Sequence, residues 1–458
     1  LGILLSIENQ DDIVNPVTRV LNRYAFLETA PGSLNAKNAV FFVIKLPELS
    51  YYNTAVGIAH TNLLLREVAM WLSRLDARLS CYDLENGHFV LLGTEIRAEE
   101  REELQTKITE RFRRSWGRKG TGMLLPVQLC TGSFGTGGGS KAAFESGREK
   151  EEKDKAGKLK DGVSSMEELL LIADSRFEGN EIQIVEPQEI IAKHKRKILI
   201  EQLLKQAIEE KLFQVYYQPI WERSSGKFHS AEALIRLQTA EFGFISPEEF
   251  IPIAEETGQI IEIGAYVFDE VCRFYKSHQL ESLGVDYVEV NLSTVQCMDQ
   301  ELVENFKETL KKYQISSERI NLEITESAAA GNRRALNDNV NVLNGLGFTF
   351  SLDDYGTGYS NFSYMFDLPF SIIKLDKSIL WRAKHPKTGD GPKSSGILLA
   401  NTIRMMKEMG YHVLVEGVET VEQKLLLEEL HCDYFQGYFF SKPVPGDVFI
   451  DFIKVVNA

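Results

Sequence analysis

The chain has 458 residues, 43% hydrophobic and 26% charged, an ordinary globular composition long enough for two or three domains with substantial cores. A net charge of −15 without a long run of Lys and Arg argues against polynucleotide binding, though not against a small phosphate ligand. Cys81, Cys130, Cys272, Cys297 and Cys432 are scattered, with no C-x-x-C pair, which argues against a disulfide framework or a zinc–cysteine site and fits a reducing cytosol.

"LGILLSI" at the start is too short for a signal core, and no apolar stretch approaches the ~18 residues that span a bilayer. Because the sequence begins at Leu1 rather than Met, we expect a fragment from which an upstream sensor or membrane segment is missing, located in the cytoplasm either freely or as the cytoplasmic part of an anchored protein. Apolar runs at 41–44 and 89–92 read as strands of an α/β shell. Residues 135–162, glycine-rich and then densely charged, read as a solvated surface loop, after which "SSMEELLLIADSRF" resumes helical periodicity. A connecting helix is expected over 188–205, dividing a first domain at 1–187 from a second at 206–458.

In the second domain short β-rich runs alternate with helical segments: "VYYQPIW", "SAEALIRL", "YVEVNLS", "INLEITES", "FTFSLDDYG", "SIIKLDKSI", "HVLVEGVE" and "YFQGYFFS". Helix ends are legible between them. Ser246 to Glu249 reads as a capping box with Pro at N1, Thr420 with Gln423 as another, and Gly347 and Gly410 as C-terminal stops. Eight strands alternating with helices predict a (β/α)8 barrel.

Barrels of this class carry their chemistry where strands run into the following loops. The polar residues there are Glu232, Asn291, Glu323, Asp353, Asp354, Lys374 and Glu416, mostly anionic or oxygen donors. Period two places Glu289 beside Asn291 on one strand face and Lys374 beside Asp376 on another. Asp353 and Asp354 reach one site only if their strand ends there, which Gly356 and Gly358 favour. Two carboxylates ~4 Å apart repel by about 4 kcal/mol at an effective dielectric of 20, so such a set calls for cations. Oxygen donors suit Mg²⁺ or Mn²⁺, and two such ions are the usual device for in-line attack on a phosphodiester, with a lysine on the rim steadying the charge. Singly, each member has a plainer reading: a strand-end acid as a cap, Asn291 as an Asx-turn, Lys374 as a partner of Asp376. A carboxylate-pair glycosidase on the same barrel would leave Asn291, Asp354 and Lys374 unexplained.

In order along the chain, "EALIR", "NLS", "EITE", "DDYGTGYSN", "IKLD", "VEGVET" and "QGYFFSKP" resemble the motifs of EAL-domain cyclic di-GMP phosphodiesterases over roughly 200–458. The resemblance implies that Glu232, Asn291, Glu323 and Asp353 bind a first Mg²⁺ or Mn²⁺, that Asp354 serves mainly a second, and that Glu416 completes the ligation. It further implies that Lys374 orients or helps activate the attacking water and that Glu326 holds the glycine loop 354–360. On the substrate side it implies Gln218, Leu234, Arg236 and Asp376, with Glu419 and Gln436 in the outer part of the site and Arg236 pairing a phosphate over Leu234. The product implied is linear pGpG, and a homodimer is compatible. Ile235, Tyr355, Asn361 and Val415 replace commoner Leu, Phe, Ser and Ala, and none removes a ligand. Residues 382–396 read as a variable surface excursion. A receptor that binds cyclic di-GMP without cleaving it is the alternative; such members usually show eroded ligands, and here the set is complete.

The first domain resembles a degenerate GGDEF diguanylate cyclase, a ferredoxin-like α/β fold. "NPVTRVLNRYAF" and "ELLLIADSRF" match its opening and closing motifs, but "ENGHF" stands in place of the signature, Lys45 in place of a metal-binding acid, and Asp76 and Leu79 where an inhibitory R-x-x-D would fall. That implies no cyclase activity and a regulatory or dimerising role.

Overall fold

The computed structural model describes residues 13–34, 36–47, 49–117, 122–134, 162–175, 182–239, 241–329, 334–357, 363–384 and 394–457. The loop expected at 135–162 falls, apart from Gly162, outside them, as do 385–393 of the expected excursion and 358–360 of the glycine loop. Contacts divide the chain into two compact units, Leu1–Lys197 and Ile198–Ala458, the division falling inside the helix Pro187–Glu210. Among the described residues no helix is long and apolar enough to cross a membrane.

The first unit is built on strands β1 (Val40–Lys45), β2 (Leu79–Asp83), β3 (His88–Gly93), β4 (Gln128–Phe134), β5 (Gly162–Val163) and β6 (Gln183–Val185), in sheet order β2-β3-β1-β4-β5 with β6 also on β4. β1 pairs antiparallel with β3 and β4, and it is buried on both faces because every residue of "VFFVIK" but the last is apolar. Phe42 and Ile44 enter one core with Val68, Leu104 and Ile108; Phe41 and Val43 enter the other with Phe26, Leu169 and Ile172. "ENGHF" forms the turn from β2 to β3, where Glu85, Asn86 and Gly87 all take positive φ.

The second unit contains β7 (Phe213–Glu222), β8 (Lys227–Thr239), β9 (Gly243–Ile245), β10 (Tyr287–Asn291), β11 (Ile320–Thr325), β12 (Thr349–Tyr355), β13 (Phe370–Leu375), β14 (His412–Val415), β15 (Tyr434–Phe435) and β16 (Val444–Pro445). Eight of them close a barrel in the order β7-β8-β10-β11-β12-β13-β14-β15, with β15 returning to β7. The expected alternation fails at its start: the turn at 223–226 is too short for a crossover helix, so β7 runs antiparallel to both neighbours.

Alternate residues divide the barrel's inside from its helix-covered outside. Val288, Val290, Leu322, Ile324, Phe350, Leu352, Val413 and Val415 join the outer core. Ile220, Ile372, Leu414 and Tyr434, with Tyr287 against them, form a separate small apolar plug. Gly347 (φ 99°) and Gly410 (φ 93°) follow helix ends, and Thr420 with Gln423 makes the expected capping box. Pro247 opens its helix, but the Ser246 side chain makes no capping bond.

Candidate active site

The strand ends converge on one amine. Lys374, from β13, is fully buried, and its Nζ lies 2.6 Å from Glu323, 3.1 Å from Glu416, 3.5 Å from Asp353, 3.6 Å from Glu232 and 3.8 Å from Glu289. The rim position and the pairing with Asp376 that the sequence left open are both replaced by this central one. Lys374 precedes the strand's last residue and points inward on a pleat whose neighbours Ile373 and Leu375 join the outer core.

Glu232 is only 7% exposed and is held in place by two amides: Asn291 Nδ2 donates to its Oε1 at 3.0 Å and Gln436 Nε2 to its Oε2 at 2.6 Å. Gln436 also donates to Gln218 Oε1, and Gln218 donates to the Ser441 carbonyl. Gln436 is therefore central rather than outer, because the chain after β15 turns inward against Glu232.

One ammonium among five carboxylates leaves a net negative site, and burial sharpens the conflict. Burial drives the Glu323 carboxyl well up, against Lys374 and with the push of Glu232 and Glu289. Glu416 is pushed to about 8 by burial, again against Lys374 and reinforced by Asp353. For Glu232 burial is outweighed by Lys374 and the two amides, so its carboxyl is held below the usual range. The Lys374 amine would be lowered by burial, yet Asp353, Glu232, Glu323 and Glu416 raise it well above the ordinary lysine value.

Asp353 and Asp354 meet the site through a bulge rather than a strand end. Leu352 pairs with Ile373 and Tyr355 with Leu375, so one extra residue lies on β12, and Asp354 takes φ 57°. Burial, then Asp353 and Asp376, push the Asp354 carboxyl up to about 6. The Gly356 N–H donates to Glu326 Oε2 at 3.0 Å, and a Cβ there would press on Ile379.

Along β8, Leu234 and Arg236 follow Glu232 on the same face, and Gln218 sits directly opposite Glu232 on β7. Arg236 is half-buried, bonds the Ile235 carbonyl, and lies 5.7 Å from the Tyr216 ring. Asp376 takes a local role instead of joining Lys374: its Oδ1 accepts the Ser378 N–H at the start of helix Lys377–Lys384. Glu419 is exposed just before helix Val421–Glu429, its N–H bonded to Gln423.

Glu289 is the member not singled out as a candidate from the sequence. Its signal was present, since it shares Asn291's strand face, but only the closed barrel puts it on Lys374. The Glu289 carboxyl meets that of Glu323 as well as Lys374, and Asp353 Oδ1 has no hydrogen-bond partner among the described residues. Buried anionic oxygens with no donor fit hard divalent cations, whereas His and Cys are not part of the set. Among the described residues no three such side chains are already set at metal-holding distances; they close on Lys374 instead.

A closed barrel with an acid-ringed lysine at its strand ends defines the class. The EAL domain family matches residues 201–443, more than half of the chain, and the chain belongs to it. It is similar to the signaling protein YkoW of Bacillus subtilis, at 38% identity over 259 residues, covering 56% of this chain and 31% of that protein. It is also similar to the structure of the PaMucR phosphodiesterase in complex with c-di-GMP, at 29% identity and TM-score 0.51, covering 55% of this chain and 99% of that one. The Vibrio cholerae LapD S helix-GGDEF-EAL structure, bound to c-di-GMP, covers 93% of this chain and 95% of its own at TM-score 0.58, but at 17% identity it speaks for fold alone. The chain spans about a third of the length of the curated relatives it matches.

Proposed function

We propose that the second unit hydrolyses cyclic di-GMP to linear pGpG in a divalent-cation-dependent reaction. The observation that carries this is the convergence of five carboxylates on buried Lys374, with anionic oxygens left unanswered. Glu232, Asn291, Glu323 and Asp353 would hold a first Mg²⁺ or Mn²⁺, Asp354 mainly a second, with Glu416 completing the set. Bound cations supply Lewis acidity and a water acidic enough to attack phosphorus near neutral pH.

The chain's own residues do the rest. Asn291 and Gln436 fix the plane of Glu232 by one bond to each oxygen. Lys374 neutralises part of the acid ring and sits where it can orient the water and take up charge as the phosphodiester opens. Glu326 anchors the backbone at Gly356 and so the bulge that presents Asp354. Arg236 at the mouth pairs a substrate phosphate, with Leu234 beneath and Gln218 alongside, and Asp376 and Glu419 border the substrate.

For the first unit we infer a ferredoxin-like, degenerate GGDEF-type domain that regulates or dimerises rather than cyclises. Its strand order β2-β3-β1-β4 with antiparallel pairing supports the fold, and buried Lys45 in place of an acid speaks against metal binding there. The same reading puts the chain in the cytoplasm, is compatible with a homodimer, and divides it into domains at 1–187 and 206–458 joined by 188–205. The test is turnover of cyclic di-GMP with Mg²⁺ or Mn²⁺. Production of pGpG is expected; tight binding of the dinucleotide without cleavage would replace the enzyme by a receptor.

A further inference from the structure

The ring around Lys374 has one member that the proposed cation set does not use. Glu289 pairs in register with Glu232 on β8 and with Asn321 on β11, whereas Asn291 pairs with Glu323. It is therefore set back by one pleat repeat, about 7 Å along the strand, from the level that Asn291 and Glu323 share. On its inner side lie Tyr287 and the apolar plug of Ile220, Ile372, Leu414 and Tyr434. It is 0% exposed, its carboxyl meets that of Glu323, and among the described residues the one cationic group within salt-bridge distance is Lys374 Nζ at 3.8 Å.

A fully buried carboxylate either takes up a proton or is answered by a cation, and the cation this one faces is Lys374. An apolar side chain would fill this place without that penalty, so the acid is explained by what it faces. We propose that Glu289 is the standing counter-ion of Lys374, a positioning residue that keeps the ammonium at its depth when Glu232, Glu323, Asp353 and Glu416 turn to divalent cations. This rests on the cation-dependent reading of the site. Without cations, five acids compete for the amine and Glu289 is redundant. With the other four drawn away, it alone still holds Lys374, and the amine stays aimed into the site instead of swinging toward the mouth.

The measurement is the acetylation rate of Lys374 in the full chain, read by peptide mass spectrometry in EDTA and in Mn²⁺. The unaltered chain should label slowly in both. E289Q should remain slow in EDTA, where four acids still hold the amine, and label about tenfold faster in Mn²⁺, as protection lost through local opening. E289D keeps the charge and should stay near the unaltered rate. Should E289Q fail to fold, E289M repeats the test with the space filled and the charge removed. Labelling of E289Q at the unaltered rate in Mn²⁺, or equal acceleration in EDTA and Mn²⁺, overturns the proposal, the latter because it reports plain loss of packing. A Mn²⁺-induced rise in the thermal midpoint of the unaltered chain separates the two failures. If that rise is absent, the site takes no cation and both readings fall; if it is present while labelling is unmoved, only the role of Glu289 falls.

Discussion

Lys374 is the residue on which the barrel's interior depends most. Its removal leaves Glu232, Glu289, Glu323, Asp353 and Glu416 facing one another in a buried space. Taking one partner from a buried ion cluster costs on the order of 3–5 kcal/mol, so Lys374→Met should lower the unfolding free energy of the second unit by that amount, read as a lower urea midpoint. Glu232→Gln is the contrasting case, because it relieves one like charge and keeps the side chain's volume. It should leave the midpoint unchanged or higher while lowering cyclic di-GMP turnover by about 100-fold or more. Retained turnover would take Glu232 out of its assigned role. In the first unit, burial lowers the Lys45 amine from 10.5 to about 8. Between those values the unfolded chain binds more protons than the folded one, so stability rises with pH across that window. The unfolding free energy of the unaltered chain relative to that of Lys45→Met should therefore rise from pH 7.5 to pH 10.5, and a pH-independent difference would refute the assignment.

At the scale of elements, the bulge in β12 decides how two adjacent acids serve one site. Asp354 sits at φ 57°, where a β-branched residue is strained and glycine is not. Asp354→Val should cost about 1–3 kcal/mol in urea unfolding, while Asp354→Gly should cost nothing; equal losses would mean that the side chain rather than the backbone sets the stability. This also marks the limit of what the sequence carried. Adjacent aspartates before glycines announced a shared site, but a strand end and a bulge both satisfy that pattern, and only pairing with β13 separates them. Strand positions, the Thr420 box and the glycine stops were legible because each depends on residues close in sequence. The antiparallel course of β7 was not, since it follows from which neighbours it meets after barrel closure. Lys374 at the centre, Gln436 on Glu232 and Glu289 in the ring were hidden for the same reason: strand faces are local, whereas what stands opposite is not.

At the scale of the molecule, each unit closes cores of its own. Phe41, Phe42 and their neighbours form cores on the two faces of the first sheet, and the barrel's outer core and plug lie wholly within the second unit. Chains of this kind unfold in more than one step. The acid ring draws every member from the second unit, four from strands and Glu416 from the residue just after β14, so a divalent cation should stabilise that unit alone. By mass action the gain is about 2.7 kcal/mol at a hundred times the dissociation constant. Calorimetry with and without Mn²⁺ should show one transition moving and the other fixed, and Glu323→Gln should weaken the movement without shifting the fixed transition. Movement of both transitions together would show that cation binding is coupled across the two units, and the regulatory role assigned to the first would then act through the same equilibrium.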